Sequence, residues 1–272
     1  MQVYGIISDE RAYRARSTAI FSTVLNRMGI KGAYVPFKVD PDQVGQALQS
    51  LHILNIAGAN VTVPYKEAAI PFMDILSEGA NIIGAINTIV VTEGKLKGYN
   101  TNAIGFMDAL SKAKFEAEDK SALIFGTGGA ARAVAFILNW QRTKTIYLAG
   151  RDEQKTQQMV KQFGGEARTL DSLEGQAFPV DIVINATSVS SKDESAEMAE
   201  LVGSLELPEC EMLVDLNYDR PNNFWEKAAA DKGIQFMDGL MPLAYQARRT
   251  FQLWTGLQVP PEEFIDAIES TT

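Results

Sequence analysis

The chain has 272 residues, 46% of them hydrophobic and 22% charged, which suits a soluble globular enzyme of one large or two modest domains. A formal net charge of −9 and a sequence pI near 4.8 argue against nucleic acid or an anionic membrane as partner, since both need clustered Lys and Arg. A local basic pocket for an anionic small molecule stays open. A single cysteine, Cys210, excludes an internal disulfide and fits a reducing compartment. With one histidine, His52, no typical zinc site can be built and no metal is expected.

The first twenty residues lack the apolar stretch of a signal peptide, and no apolar run reaches the ~18 residues of a membrane span. The expectation is a cytoplasmic protein with no membrane partner. Short apolar runs alternate with helical patterns. Val3–Ile7 reads as a strand, 17–28 as a helix, Ala33–Phe37 as a strand. Asp40 caps a helix to about Ser50, with Pro41 in its first turn. Ile56–Val63 is a third strand, and Thr88–Val91 opens a hairpin closed at Glu93-Gly94.

Phe106–Lys112 is helical, and Ser121–Phe125 is an apolar strand that runs into Gly126-Thr127-Gly128-Gly129-Ala130-Ala131-Arg132. A helix continues to Trp140, a strand covers Thr145–Ala149, and a helix covers 153–163. Asp181–Asn185 and Leu213–Leu216 are further strands. Ser188–Glu200, polar and rich in Ser and Glu, reads as a mobile loop. Helices at about 241–253 and 261–269 pack back on the first domain. The whole is α/β: an N-terminal α/β domain over 1–101 and 239–272, and a doubly wound (Rossmann) dinucleotide-binding domain over 102–238.

The glycine motif follows a strand and opens a helix, which is the context that gives it meaning. Gly126 permits the tight turn, Gly128 lets the backbone approach a pyrophosphate, and the amides of Thr127, Gly129 and Ala130 open the helix on the phosphates. The next strand ends at Gly150-Arg151-Asp152. Arg151 can pair with a 2′-phosphate through its fork of donors, which favours NADP as cofactor. Asp152 either binds a ribose hydroxyl or caps the following helix.

Further segments complete a pattern. Asn60-Val61-Thr62-Val63-Pro64-Tyr65-Lys66, Gly84-Ala85-Ile86-Asn87-Thr88, Gly98-Tyr99-Asn100-Thr101-Asn102, Asn185-Ala186-Thr187-Ser188, Val214-Asp215 with Tyr218, and Asp238-Gly239-Leu240 with Gln246 and Trp254-Thr255-Gly256 occur in that order. Together with the glycine motif they resemble the shikimate dehydrogenase family along the chain from Tyr4 to Gly256. The resemblance implies NADP-dependent, reversible reduction of 3-dehydroshikimate to shikimate, or of a closely related cyclic keto acid, within aromatic amino acid biosynthesis.

By the same resemblance, Lys66 contacts the reacting oxygen and Thr62, Asn87, Asn102 and Gln246 bind ring hydroxyls. Tyr218 helps hold the carboxylate, and Thr187, Ser188, Leu216 and Gly239 line the nicotinamide. Elementary chemistry agrees for Lys66, because an ammonium stabilises and protonates the alkoxide left by hydride addition.

Two departures stand out. The family's N-terminal segment has a Ser-x-Ser pair that binds the substrate carboxylate. Counted from the N-terminal side those slots hold Arg14 and Arg16; counted back from Gly29 they hold Ala15 and Ser17. Either an arginine binds the carboxylate through charge-assisted bonds, or the arginines are surface charges. The second departure is Asn102, an amide where the family has an aspartate, which hydrogen-bonds but accepts no proton. A paralogue acting on a different keto acid and a catalytically weak dinucleotide-binding regulator are the alternative readings. The protein is expected as a monomer or homodimer.

Overall fold

The computed structural model describes residues 1–175 and 177–270. The chain folds into two compact units, Met1–Gly105 together with the segment from Leu243 onward, and Phe106–Pro242.

The first unit is built on a six-stranded sheet in the order β2-β1-β3-β5-β6-β4. Its strands are β1 (Gln2–Ser8), β2 (Gly32–Lys38), β3 (Ile56–Val61), β4 (Ile75–Leu76), β5 (Thr88–Thr92) and β6 (Lys95–Tyr99). β1 pairs in parallel with β2 and β3. β5 runs antiparallel to β3 and to β6. Helices α1 (Ser17–Arg27), α2 (Val44–Ile53) and α3 (Glu78–Ile83) follow β1, β2 and β4. The last helix of the chain, α10 (Pro261–Glu269), packs on α1. The core is aromatic: the ring of Trp254 stacks on Tyr4 at 4.7 Å, and Phe21 on Tyr34 at 4.8 Å. The Trp254 indole also donates to the Ile89 carbonyl at 2.9 Å. Gly58 sits against that indole, where a Cβ would collide with it.

The second unit has a wholly parallel sheet in the order β12-β11-β10-β7-β8-β9. Its strands are β7 (Ser121–Phe125), β8 (Thr145–Ala149), β9 (Glu166–Arg168), β10 (Ile182–Asn185), β11 (Met212–Asp215) and β12 (Gln235–Met237). Its helices are α5 (Gly129–Trp140), α6 (Glu153–Phe163), α7 (Ala196–Ser204) and α8 (Phe224–Lys232). Central strands buried on both faces read as continuous apolar runs, and β7, β10 and β11 do so. Trp225 is fully buried and packs on Phe125 in this core. The unit boundaries fall inside α4 (Thr101–Lys112) and α9 (Leu240–Thr255).

Some local expectations change. Pro41–Gln43 is a separate 3₁₀ turn ahead of α2, and Asp40 makes no side-chain cap bond. β3 stops at Val61, two residues short of the apolar pattern, because Pro64 has no N–H to extend a ladder. The polar stretch after Ser188 is held, not loose. Glu194 accepts from the amides of Ser190 and Ser191 and pairs with Arg220 at 2.6 Å. Ser195 then caps α7 through the Met198 amide.

Candidate active site

In open α/β sheets ligands bind outside the carboxyl ends of the strands. In the first unit that edge collects the ends of β1, β3 and β6 and, because β5 runs the other way, the start of β5. Lys66, Asn87, Thr101 and Asn102 therefore arrive at one edge from three separate stretches of sequence. Two hydrogen bonds bring the ends of β1 and β3 together: Thr62 N–H to the Ile7 carbonyl at 3.2 Å, and the Ser8 hydroxyl to the Val63 carbonyl at 2.6 Å.

Asn87 is the hub of this edge. It is buried, and its Oδ1 accepts from the Thr101 backbone N–H at 2.7 Å. Its Nδ2 lies 2.8 Å from Thr101 Oγ1, 2.8 Å from Asn102 Oδ1 and 3.0 Å from Gln246 Oε1. Asn60 braces the hub, donating to the Asn87 carbonyl at 3.0 Å while accepting from the Tyr34 hydroxyl at 2.8 Å. Thr88, Thr101 and Thr250 bring their hydroxyls together within 3.2 Å of one another. Gln246 and Thr250 lie one turn apart on α9, so they present one helix face to the edge.

Lys66 follows β3 by five residues, and its carbonyl accepts from Ile86 N–H at 2.8 Å, next to the hub. Its side chain is half-buried. No hydrogen-bonding or ion-pairing partner of its ammonium occurs among the described residues. Burial lowers its pKa from 10.5 to about 8. That is the range in which one group serves as acid and base near neutral pH.

The N-terminal candidates separate by environment. Arg14 is exposed at the end of a short 3₁₀ turn. The guanidinium of Arg16 donates to the Ile268 carbonyl at 3.3 Å, on the helix α10. Ser17 opens α1 and is buried, and the hydroxyls of Ser17 and Thr18 are both buried with no hydrogen-bond partner. Buried hydroxyls are nearly always satisfied, so two adjacent orphans on a first helical turn ask for a ligand acceptor.

In the second unit the glycine turn lies where the strand order reverses, between β7 and β10. Gly126 has φ +116° and a Cβ there would sit 2.9 Å from the Ala186 carbonyl oxygen, so only glycine fits. Gly128, the N-cap of α5, is exposed with open space in front of it, and Thr127, Gly129 and Ala130 are partly exposed beside it. The free amides that open α5 here are the kind of donors that bind phosphate at a helix N-terminus. Gly126→Ala should destabilise this unit by about 1–3 kcal/mol and weaken NADPH binding together with it. Thermal melting and NADPH titration check this, and an unchanged variant in both would show the turn to be less constrained than its geometry says.

After β8, Gly150 packs under Thr127 and Thr156, and Arg151 is exposed with no acidic partner among the described residues. Of its two expected uses, Asp152 takes the capping one, its Oδ1 accepting from Lys155 N–H at 3.0 Å. Thr187 is fixed by donating both N–H and hydroxyl to Asn185 Oδ1, at 3.0 and 2.7 Å; Ser188 beside it is exposed.

Behind Thr187 lies a network the sequence reading missed. Asp215, fully buried, accepts from Asn185, Asn217 and Asn223 at 2.8, 2.9 and 2.7 Å, and Asn217 reaches back to the Thr187 carbonyl at 2.9 Å. The sequence signal was three asparagines around one aspartate at strand ends. Leu216 is half-buried, and Gly239 is packed on its carbonyl. Tyr218 lines a cleft of about 600 Å³ in this unit, together with Lys112, Glu226 and Asp238. Burial raises the Asp238 pKa. Among the described residues no cluster of His, Cys, Asp or Glu could hold a metal.

A six-stranded parallel sheet with a glycine turn at its reversal point defines the second unit as a dinucleotide-binding α/β domain of the oxidoreductase class. Residues 10–89 match the model of the shikimate dehydrogenase substrate binding domain, and residues 109–237 that of shikimate / quinate 5-dehydrogenase. The chain belongs to the shikimate dehydrogenase family. It is 37% identical over 253 residues to shikimate dehydrogenase (NADP(+)) of Desulforamulus reducens, covering 90% of this chain and 87% of the relative. The crystal structure of shikimate dehydrogenase from Aquifex aeolicus superposes with a TM-score of 0.88 at 30% identity, over 98% of this chain and 97% of that one. The Thermus thermophilus enzyme in complex with NADP(H) and shikimate gives a TM-score of 0.87 at 31% identity, over the full length of both.

Proposed function

We propose that this chain is an NADP-dependent shikimate dehydrogenase, reducing 3-dehydroshikimate reversibly to shikimate. The observation that carries the reading is Lys66, a desolvated lysine with no protein counter-ion among the described residues, on a segment whose backbone is bonded to Ile86 next to Asn87, in a chain related end to end to enzymes of that activity. In this reading the first unit holds the keto acid and the second holds NADP. The turn Gly126–Ala130 and helix α5 take the diphosphate, Arg151 the 2′-phosphate, and Thr187, Ser188, Leu216 and Gly239 flank the nicotinamide. Bound there, the dinucleotide supplies or accepts the hydride. The lysine ammonium holds the ketone oxygen, withdraws electron density from the carbon, and gives a proton to the oxygen as the hydroxyl forms. In the reverse direction neutral Lys66 takes that proton. Thr62, Asn87 and Gln246 orient the ring.

The first turn of α1 is the carboxylate site in this reading: orphaned Ser17 and Thr18 hydroxyls donate to it, aided by the positive end of the helix. Hydrogen bonds to a charged group are worth about 1.5–3 kcal/mol. Ser17→Ala should thus raise KM for 3-dehydroshikimate about tenfold or more with kcat little changed, while Arg14→Ala changes neither. A KM that responds to Arg14 and not to Ser17 would move the carboxylate to the arginine. Among the described residues no helix is long and apolar enough to cross a membrane, and a free thiol with its pKa raised to about 11 by burial is inert in a reducing cytoplasm. The direct test is NADPH consumption with 3-dehydroshikimate beside a panel of related cyclic keto acids. Turnover confined to another member of the panel would make the chain a paralogue of changed substrate.

A further inference from the structure

Asp215 ends β11 as a fully buried carboxylate, and no basic side chain pairs with it among the described residues. Dipoles alone meet it. Its Oδ1 accepts from the Asn185 amide at 2.8 Å, the Asn217 backbone N–H at 3.0 Å and the Asn217 amide at 2.9 Å, and its Oδ2 accepts from the Asn223 amide at 2.7 Å. Two of these amides have their polarity set by backbone groups that can only donate. Asn185 Oδ1 takes the Thr187 N–H at 3.0 Å and Asn223 Oδ1 the Trp225 N–H at 2.8 Å, so each turns its NH₂ to Asp215. The NH₂ of Asn217 also meets the Thr187 carbonyl at 2.9 Å and the Ser190 hydroxyl at 3.0 Å.

Asn185 and Asn217 reach further through their backbones. Leu216 N–H donates to the Asn185 carbonyl at 3.0 Å, and Gly239 N–H to the Asn217 carbonyl at 3.0 Å. Thr187 gives its N–H and hydroxyl to Asn185 and its carbonyl to Asn217. Three stretches far apart in sequence are thus bonded to two asparagines, and both asparagines are bonded to one carboxylate. The same segment abuts the glycine turn, where the Ala186 carbonyl leaves no room for a Cβ on Gly126.

We propose that Asp215 is a positioning residue for hydride transfer, whose carboxylate, acting through Asn185 and Asn217, holds Thr187, Leu216 and Gly239 as one wall for the nicotinamide. Being fully buried, it touches neither cofactor nor keto acid. This inference rests on the shikimate dehydrogenase reading, which sets those three residues around the ring. A neutral amide at position 215 cannot accept from all four N–H groups. It turns an NH₂ toward at least one NH₂ and leaves that partner without an acceptor. The wall then shifts, and a displacement of about 1 Å costs on the order of 100-fold in rate. The adenosine half of the dinucleotide, held at the glycine turn and Arg151, does not depend on the network.

The test uses Asp215→Asn and Asn217→Ala, the second at a half-buried position that serves if the first does not fold. NADPH consumption with 3-dehydroshikimate gives kcat and KM. Calorimetric titration of adenosine 2′,5′-bisphosphate, which carries the 2′-phosphate and no nicotinamide, reports the adenosine half alone. Both variants should lose about 10- to 100-fold in kcat, with KM for 3-dehydroshikimate and Kd for the bisphosphate each within about twofold of wild type. A network that merely held the domain together would weaken the bisphosphate as well. Wild-type kcat in either folded variant, or a loss of bisphosphate affinity that matches the loss of kcat, overturns the proposal. Wild-type protein that binds NADPH yet reduces no 3-dehydroshikimate would instead sink the functional reading, and this proposal with it.

Discussion

Lys66→Ala should lower the rate of ketone reduction by about 10²–10⁴-fold, the usual contribution of one acid–base or electrostatic group, and should leave NADPH affinity intact. The reason is location. The lysine stands at the sheet edge of the first unit, and the glycine turn proposed to take the dinucleotide belongs to the second. Its pH behaviour follows from a pKa near 8. Reduction needs the ammonium and should fall away above pH 8, whereas oxidation needs the neutral amine and should rise up to it. Burying a lysine also withholds stability. Between about pH 8 and 10.5 the unfolded chain keeps a proton that the folded lysine has lost, so stability rises with pH there. An apolar Lys66→Met variant should thus be more stable than wild type at pH 7, by about 1–3 kcal/mol, with the gain fading as pH climbs through that window. Stopped assays, NADPH titration and denaturant melts at two pH values check the three parts. Wild-type-like turnover in Lys66→Ala would remove the lysine from the chemistry.

Arg151→Ala should weaken NADP about 10- to 150-fold and leave NAD almost untouched, because only NADP carries the 2′-phosphate. The arginine is exposed and without an acidic partner among the described residues, so no internal pair must break before it binds a ligand phosphate. Asp152, which in a different setting would grip a ribose hydroxyl, uses one carboxylate oxygen to cap α6. Equal losses for the two cofactors, or a wild type that prefers NAD, would contradict the assignment.

The architecture was legible because alternating strands and helices leave strong periodic signals, and the glycine turn came between two of them. What escaped were short or locally capped elements. Strands β9 and β12 have three residues each, and α3 has six, too few for a period to show. α7 hid in polar sequence because its start is set by one Ser195 side chain. α8 likewise depends on the Asn223 cap and the left-handed Gly233 that ends it. At the site, candidate residues could be named from the sequence but not their wiring. Asn87, Asn102 and Gln246 were each marked as substrate contacts. That the three amides meet in one hydrogen-bonded cluster depends on a Thr101 N–H and a helix 159 residues further along the chain. The N-terminal segment was ambiguous by one position of counting, and burial separates exposed Arg14 from enclosed Ser17 where spacing left both open.

The partnership of α9 with the first sheet has a bearing on biogenesis. Gln246, Thr250 and Trp254 supply an amide, a hydroxyl and an indole to a sheet whose own strands end by Tyr99. On the ribosome those strands emerge well over a hundred residues before the helix that completes them, and a domain-sized stretch of the second unit is made in the interval. A nascent chain stopped before Leu240 would carry a finished nucleotide fold beside a sheet with a hole where the Trp254 ring belongs. The polar cluster at that sheet edge is thus completed last, only after the parallel-sheet unit has been synthesised.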